Sequence, residues 1–169
     1  MGIAGTSRFL DDGAALRERV EQLLATAHEL PGLEVSERID AVERTVSFLA
    51  EVLLPHAQAE ERVLYPAASR LLHSRDDSAA VRRDRTELRR LIQALAAADP
   101  ADAGRLQELL YAMYLLLTGH FQREDAIYLR LVQAQPESRL RQLFDRVRTY
   151  ERRRRFRRLG AGAPIGPPA

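Results

Sequence analysis

The sequence contains no cysteine. This absence excludes a disulfide framework, thiolate metal ligands and catalysis by a thiol nucleophile. The longest uninterrupted apolar run is far shorter than the roughly 20 residues that a bilayer crossing needs, and the N-terminus lacks the basic-then-apolar pattern of a signal peptide. We therefore expect a protein without a membrane span that resides in a reducing cytoplasm.

Lysine is absent as well, so arginine supplies all 26 basic residues, and the formal net charge at pH 7 is only +2. The chain also lacks a Gly-rich phosphate loop, a Ser/His/Asp arrangement and a recognisable nucleic-acid-binding motif. With 169 residues, of which 46% are hydrophobic and 30% charged, it has the length and composition of a single soluble domain.

Four long segments carry inward positions at alternating steps of four and three residues, which is typical of helix faces packed in a bundle. Pro31 and Gly32 end the first segment, Ser36 is a candidate cap for the second, and "ADPAD" separates the third from the fourth. Short connections between long helices favour antiparallel neighbours. The pattern predicts an all-α, up-down-up-down antiparallel four-helix bundle with an extra C-terminal helix.

The predicted bundle covers residues 7–133, followed by a basic helix over 134–159 and a disordered Gly/Pro/Ala tail over 160–169. The basic helix carries a cluster of arginines that could contact an anionic partner such as phosphate or a lipid surface. Leu143 and Phe144 are interleaved with these charges. This pattern favours an amphipathic helix that packs on the bundle and exposes a solvated basic face.

An internal repeat relates the two halves of the bundle. His56 and Glu60 recur 64 positions later as His120 and Glu124. Each pair shares one helix face, and each replaces apolar residues at inward positions of its helix. Two helical hairpins related by a pseudo-twofold axis would bring the pairs together.

Six inward positions depart from the apolar rule: Gly13, His56, Glu60, Arg85, His120 and Glu124. A single His and Glu at this spacing is usually a surface pair worth a few tenths of a kcal/mol. Two such pairs in register with a buried seam indicate metal ligation instead, because imidazole and carboxylate suit iron, manganese or zinc.

Two buried carboxylates also require a positive charge between them. An uncompensated buried charge costs several kcal/mol, which is large beside the roughly 5–15 kcal/mol that holds a domain together. The sequence offers two candidates for this charge, a bound cation or the guanidinium of Arg85.

The segments "LLPHAQAEERVLYP" and "LLTGHFQREDAIYLRL" resemble the HxxxE signatures of hemerythrin-like (HHE cation-binding) domains, and the resemblance covers roughly residues 9–132. It implies a four-helix bundle with a non-haem di-iron centre that binds, handles or senses oxygen, nitric oxide or peroxide, or stores iron. By motif position, Glu60 and Glu124 would be the bridging carboxylates, and His56 and His120 would be histidine ligands.

The chain departs from the family pattern at two places. Members usually carry a further histidine in "DGAALR" and another in "DRTELR", where this sequence has Gly13 and Arg85. Arg85 pointing inward would repel a dication and leave room for one metal at most. Gly13 either opens a pocket for a small ligand or allows close helix packing. His28 and His73 lie elsewhere and are read as helix-end or surface histidines.

Two functions follow as hypotheses. In the first, His56, Glu60, His120 and Glu124 bind iron in a mononuclear or partial di-iron site that handles a small diatomic ligand or peroxide. In the second, the bundle is metal-free, Arg85 pairs with Glu60 and Glu124, and the protein has an interaction or structural role. Neither catalytic turnover nor an oligomeric state follows from the sequence.

Overall fold

The computed structural model describes the backbone of residues 4–74 and 78–160, and the side chains of 13–74 and 78–153. Within these ranges the chain forms five helices and no strand. The helices are α1 (Ala4–Glu29), α2 (residues 35–71), α3 (Ser78–Ala97), α4 (Ala103–Ala134) and α5 (Glu137–Gly160). The prediction of an all-helical bundle with an extra C-terminal helix is confirmed. Apart from Gly160, the predicted disordered tail lies outside the described residues.

The helix ends follow the punctuation in the sequence, with one exception. α1 gives way to a short 3-10 turn, Leu30–Gly32, and residues 98–102 connect α3 to α4 as predicted. The prediction that Ser36 caps α2 is wrong. Glu34 is the capping residue. Its carboxylate accepts a hydrogen bond from the backbone N–H of Glu37, and the carboxylate of Glu37 accepts one from the backbone N–H of Glu34.

α2 contains two wide π turns, Leu49–Leu53 and Glu60–Leu64. Pro55 and Pro66 each follow one of these turns by two residues. A proline in a regular helix lacks a hydrogen bond and clashes with the preceding turn, and a widened turn relieves that conflict. The second turn starts at Glu60, so Glu60 and the adjacent Glu61 are both buried.

The core divides into two apolar clusters. The larger one joins α1, the first half of α2, the second half of α3 and the first half of α4. The smaller one joins the second half of α2 to α3, the end of α4 and α5. The α5 residues of this cluster are Leu140, Leu143, Phe144 and Val147. α5 is therefore part of the core and packs against the middle of α2, against α1 and against the end of α4.

In the part of the chain that the structure describes, no helix combines the length and the hydropathy that a membrane span requires.

Candidate metal centre

The two His/Glu pairs meet in the interior of the bundle. α2 supplies His56 and Glu60, and α4 supplies His120 and Glu124. The exposed fractions of the four residues are 4%, 0%, 2% and 0% in that order. The wide turn at Glu60 and the apolar faces of both helices direct these polar side chains away from water, as the seam positions predict.

His56, Glu60 and Glu124 form the group that fits a metal ion. Each offers one ligand atom, and these atoms lie within 4.8 Å of one another. His56 Nε2 is 3.7 Å from Glu60 Oε1 and 3.9 Å from Glu124 Oε1. Two ligands that each lie about 2.1 Å from one ion are about 3.0–4.2 Å apart for bond angles of about 90° to 180°. The observed spacings fall within this range.

Two of these atoms also lack other partners. His56 Nε2 and Glu60 Oε1 are buried and make no hydrogen bond, whereas the buried carboxyl of Glu124 is hydrogen-bonded to the hydroxyl of Tyr128. A buried polar atom without a partner costs about 1–3 kcal/mol, and more when it is charged. These two atoms and one oxygen of Glu124 converge on one point, so they have the chemistry and the placement of a cation-binding site.

His120 makes a different contact. Its Nε2 lies 2.7 Å from Glu60 Oε2, and its Nδ1 lies 3.5 Å from Asp84 Oδ2 on α3. Asp84 also forms an ion pair with Arg123. The structure thus brings His120 to the centre but places it against Glu60, outside the three-residue group. There it holds the carboxylate of Glu60 in a fixed orientation.

His56 has a partner that the sequence reasoning missed. Its Nδ1 lies 2.7 Å from Glu151 Oε1, which α5 contributes. The available signal was the spacing of α5, since Leu140, Phe144, Val147 and Glu151 follow steps of four and three. Glu151 is a charged residue on an inward stripe, the same anomaly that singled out His56 and Glu60.

The pKa values show how the centre compensates its charge without a metal. Burial alone would lower the pKa of both histidines, but the neighbouring carboxylates together outweigh it. Glu60, Glu151 and Glu124 raise the pKa of His56 to about 9, and Glu60, Asp84 and Glu124 raise that of His120 to about 10. Burial would raise the pKa of Glu60, yet the two histidines hold it below its usual value. Burial and the charge of Glu60 raise the pKa of Glu124 to about 7.

The predicted pairing of Arg85 with Glu60 and Glu124 is not what the structure shows. Arg85 Nε lies 2.7 Å from Glu61 Oε2, and Arg82 Nε lies 3.0 Å from Glu61 Oε1. Among the described residues, no ion pair joins Arg85 to Glu60 or Glu124. The physical reason is the wide turn of α2, which buries Glu61 and so gives Arg85 a nearer carboxylate.

Glu61 is consequently a second buried carboxylate site, separate from the metal group. Burial would raise its pKa, but hydrogen bonds from Arg85 and Arg82 outweigh it and lower the pKa. Glu61 therefore stays ionised and pairs with Arg85 outside the group formed by His56, Glu60 and Glu124. The repulsion that an inward arginine would exert on a cation is thereby reduced.

Gly13 is buried, and described atoms leave space beside it. The nearest described atom to a Cβ built at Gly13 would be Arg17 Nη1, at 3.9 Å. Close packing of described side chains does not explain this glycine. His28 stacks edge-on with Tyr111 on the surface, and His73 follows the end of α2 with a φ of 48°. Neither histidine belongs to the centre.

Two buried tyrosines border the carboxylates. Burial raises the pKa of the Tyr65 hydroxyl above its ordinary range, and the charges of Glu60 and Glu124 raise it further. Burial and Glu124 have the same effect on the pKa of Tyr128. Both phenols therefore remain protonated. Tyr111 and Tyr114 pack at the edge of the larger cluster instead.

The geometry agrees with a comparison to known families. The family model described as Hemerythrin HHE cation binding domain matches residues 5–132, which includes α1 to α4 and excludes α5. No curated protein and no solved structure matches the chain. Since the match covers most of the chain and both His/Glu pairs lie inside it, the protein belongs to the hemerythrin HHE cation-binding family.

Proposed function

We propose that the protein binds a single iron ion through His56 Nε2, Glu60 and Glu124. The observation that carries this proposal is the set of three buried ligand atoms, one from each residue, that lie within 4.8 Å of one another. His120 supports the site by its contact with Glu60 Oε2 at 2.7 Å. We propose a mononuclear site because His56, Glu60 and Glu124 form a single group with one ligand atom from each residue.

The ligand set suits reversible interaction with a small molecule. A bound iron ion would supply Lewis acidity, redox chemistry and open coordination positions for oxygen, nitric oxide or peroxide. The chain itself excludes bulk water, because every ligand residue is buried. A cavity of about 10 Å³ beside His120, lined in part by Ala57, Asp84 and Arg85, has roughly the volume of one water molecule.

Metal content after anaerobic purification tests the proposal. We expect elemental analysis to find one iron per chain in the wild type, and background levels in a Glu60→Gln/Glu124→Gln double variant. The matched control is Glu87→Gln/Glu108→Gln, which removes two carboxylates from exposed positions of α3 and α4. A wild type that stays metal-free after incubation with ferrous iron would overturn the proposal.

The small-molecule role needs a separate measurement. The iron-loaded wild type should change its optical spectrum when nitric oxide or oxygen is added under controlled conditions. The double variant, incubated with the same iron, should show no such change. If the spectrum of the loaded wild type does not change when oxygen, nitric oxide or peroxide is added, the function would be limited to iron binding.

A metal-free structural or interaction role is the second candidate. It is favoured by the 2.7 Å contact of His120 with Glu60 and by the raised pKa values of both histidines. In this state protonated His56 and His120 supply the positive charge between the buried carboxylates, in place of Arg85. The same elemental analysis separates the candidates, because this one predicts no metal in any of the three proteins.

A further inference from the structure

We propose that Glu151 is a positioning residue for His56, and that metal binding and the docking of α5 are therefore coupled. The proposal rests on the proposed metal-binding function. It adds a component that lies outside the family match, since α5 begins after residue 132.

The sequence of α5 places Glu151 against the bundle. Leu140, Leu143, Phe144 and Val147 are all buried and anchor the first half of the helix in the smaller core cluster. Glu151 follows Val147 by four residues, so it continues the same inward stripe by one helical turn. The side chain of Glu151 is only 16% exposed. The packing of α5 on the bundle thus places the carboxylate of Glu151 beside His56.

The contact with His56 determines which nitrogen faces the centre. Nδ1 lies 2.7 Å from Glu151 Oε1, while Nε2 faces Glu60 and Glu124 and has no hydrogen-bond partner. A histidine that donates its Nδ1 hydrogen to a carboxylate keeps Nε2 available as a ligand, with its ring orientation fixed. Metal binding requires only the Nε2 position, so the Nδ1 contact persists when the ion arrives.

The other histidine shows why this arrangement matters. The outer nitrogen of His120 lies 3.5 Å from Asp84 Oδ2, compared with 2.7 Å between the outer nitrogen of His56 and Glu151 Oε1. Glu151 therefore makes the shorter of these two contacts. Because α5 orients a ligand, an ion that binds the oriented ligand must in turn stabilise docked α5 by the same factor.

The first test measures Co²⁺ affinity as a stable substitute for ferrous iron. We expect Glu151→Ala to weaken binding by about 10–100-fold, the range for loss of a carboxylate behind a ligating histidine. Glu151→Gln keeps the shape and an acceptor oxygen, so it should weaken binding less and should fold like the wild type. The control Glu137→Gln removes an exposed carboxylate from the same helix, where it pairs with Arg141, and should leave affinity unchanged.

The second test reports on coupling through trypsin cleavage of α5. Arg152 and Arg153 are exposed beside Glu151 and provide cleavage sites. Saturating Co²⁺ should slow cleavage there in the wild type and in Glu137→Gln. In Glu151→Ala, saturating Co²⁺ should give little or no protection. Equal protection in Glu151→Ala and wild type would overturn the coupling.

Nitrogen-15 NMR separates this proposal from the metal-binding function. The metal-free wild type should show a protected, downfield Nδ1 hydrogen on His56 that is lost in Glu151→Ala, whether or not the protein binds metal. A wild type with this signal and no Co²⁺ binding contradicts the proposed function alone. A wild type that binds Co²⁺ with the same affinity as both Glu151 variants contradicts the positioning role alone.

Discussion

The two HxxxE pairs share one sequence pattern but have opposite surroundings. His120 lies 2.7 Å from Glu60, whose pKa is lowered, whereas His56 Nε2 lies 3.9 Å from Glu124, whose pKa is raised to about 7. The outer nitrogen of His56 is held by α5, while that of His120 only approaches α3. The internal repeat thus determines which residues meet, and the neighbouring helices determine the protonation state of those residues.

This asymmetry divides the work within the centre. Glu60 is the charged residue that both histidines contact, and Glu124 is the carboxyl whose pKa is raised to about 7, so it holds a proton at lower pH. A cation bound by His56, Glu60 and Glu124 would replace the proton of Glu124 and the extra proton of His56. Metal and protons should therefore compete for the same group of side chains.

The largest expected effect distinguishes the two glutamates in the metal-free protein. At pH 6, Glu60→Gln should lower the free energy of unfolding by about 3–5 kcal/mol, because it removes the charged partner of buried histidines. Glu124→Gln should change it by less than about 1 kcal/mol, because a carboxyl with a raised pKa is already protonated. Denaturant unfolding measures both. Equal losses in the two variants would contradict the asymmetry.

The pH dependence of stability should come next in size. Without metal, the folded protein retains protons on His56 and His120 up to pH of about 9 and about 10, whereas the unfolded chain releases them near the ordinary histidine pKa of 6.5. Their stabilising contribution is full below pH 6.5 and is lost as the pH rises through the folded pKa values. The free energy of unfolding should fall by about 1.4 kcal/mol per pH unit for each extra proton held.

Metal provides the control for that pH profile. A metal-saturated sample should not hold the extra proton on His56, so its stability should fall less steeply between neutral pH and about pH 9. Chemical denaturation at several pH values, with and without the ion, gives both profiles. A metal-free profile that is flat or rises over this interval would show that the histidines carry no extra protons.

Arg85→Leu should have an intermediate effect. Glu61 would keep its contact with the exposed Arg82 but lose Arg85, so we expect a loss of about 1–3 kcal/mol from an incompletely paired buried carboxylate. Metal content should remain unchanged. Arg90→Leu removes an arginine from an exposed pair on the same helix and should change stability by less than about 1 kcal/mol. Loss of metal in Arg85→Leu would show that Arg85 contributes to the metal site.

The smallest effect should come from the weaker of the two outer carboxylates. Asp84→Asn should reduce Co²⁺ affinity by less than about tenfold, below the range for a hydrogen-bonded carboxylate behind a ligand. The reason is the 3.5 Å separation from His120, compared with 2.7 Å between Glu151 and His56. Isothermal titration of Asp84→Asn beside Glu151→Ala measures the difference. A larger loss in Asp84→Asn would reverse the assigned roles.

Much of the fold and the central residues could be read from the sequence. The seam spacing predicted the bundle, and the repeat predicted that His56, Glu60, His120 and Glu124 converge. Such periodicity is visible because a helix has a fixed repeat. The family description of a cation-binding domain agrees with that reading.

Other features depend on packing that periodicity does not describe. The sequence-based alternative that paired Arg85 with Glu60 and Glu124 differs from the structure because the wide turn at Glu60, which buries Glu61, breaks the regular helical repeat. The contact of Glu151 with His56 was not predicted, because the many arginines of α5 obscure the inward-facing spacing that Glu151 shares with Phe144 and Val147. The role of the histidines as counter-charges was not predicted, since it depends on burial and on carboxylates that other helices bring close, such as Glu151 at His56 and Glu60 at His120.

Anomalous diffraction from crystals of the iron-loaded protein tests the central claim most directly. The account predicts one iron peak per chain, at about 2.0–2.2 Å from His56 Nε2 and from one oxygen of each of Glu60 and Glu124, with Glu151 still bonded to His56 Nδ1. Loaded crystals with no peak between these three residues, or with iron bound only at surface carboxylates, would contradict it.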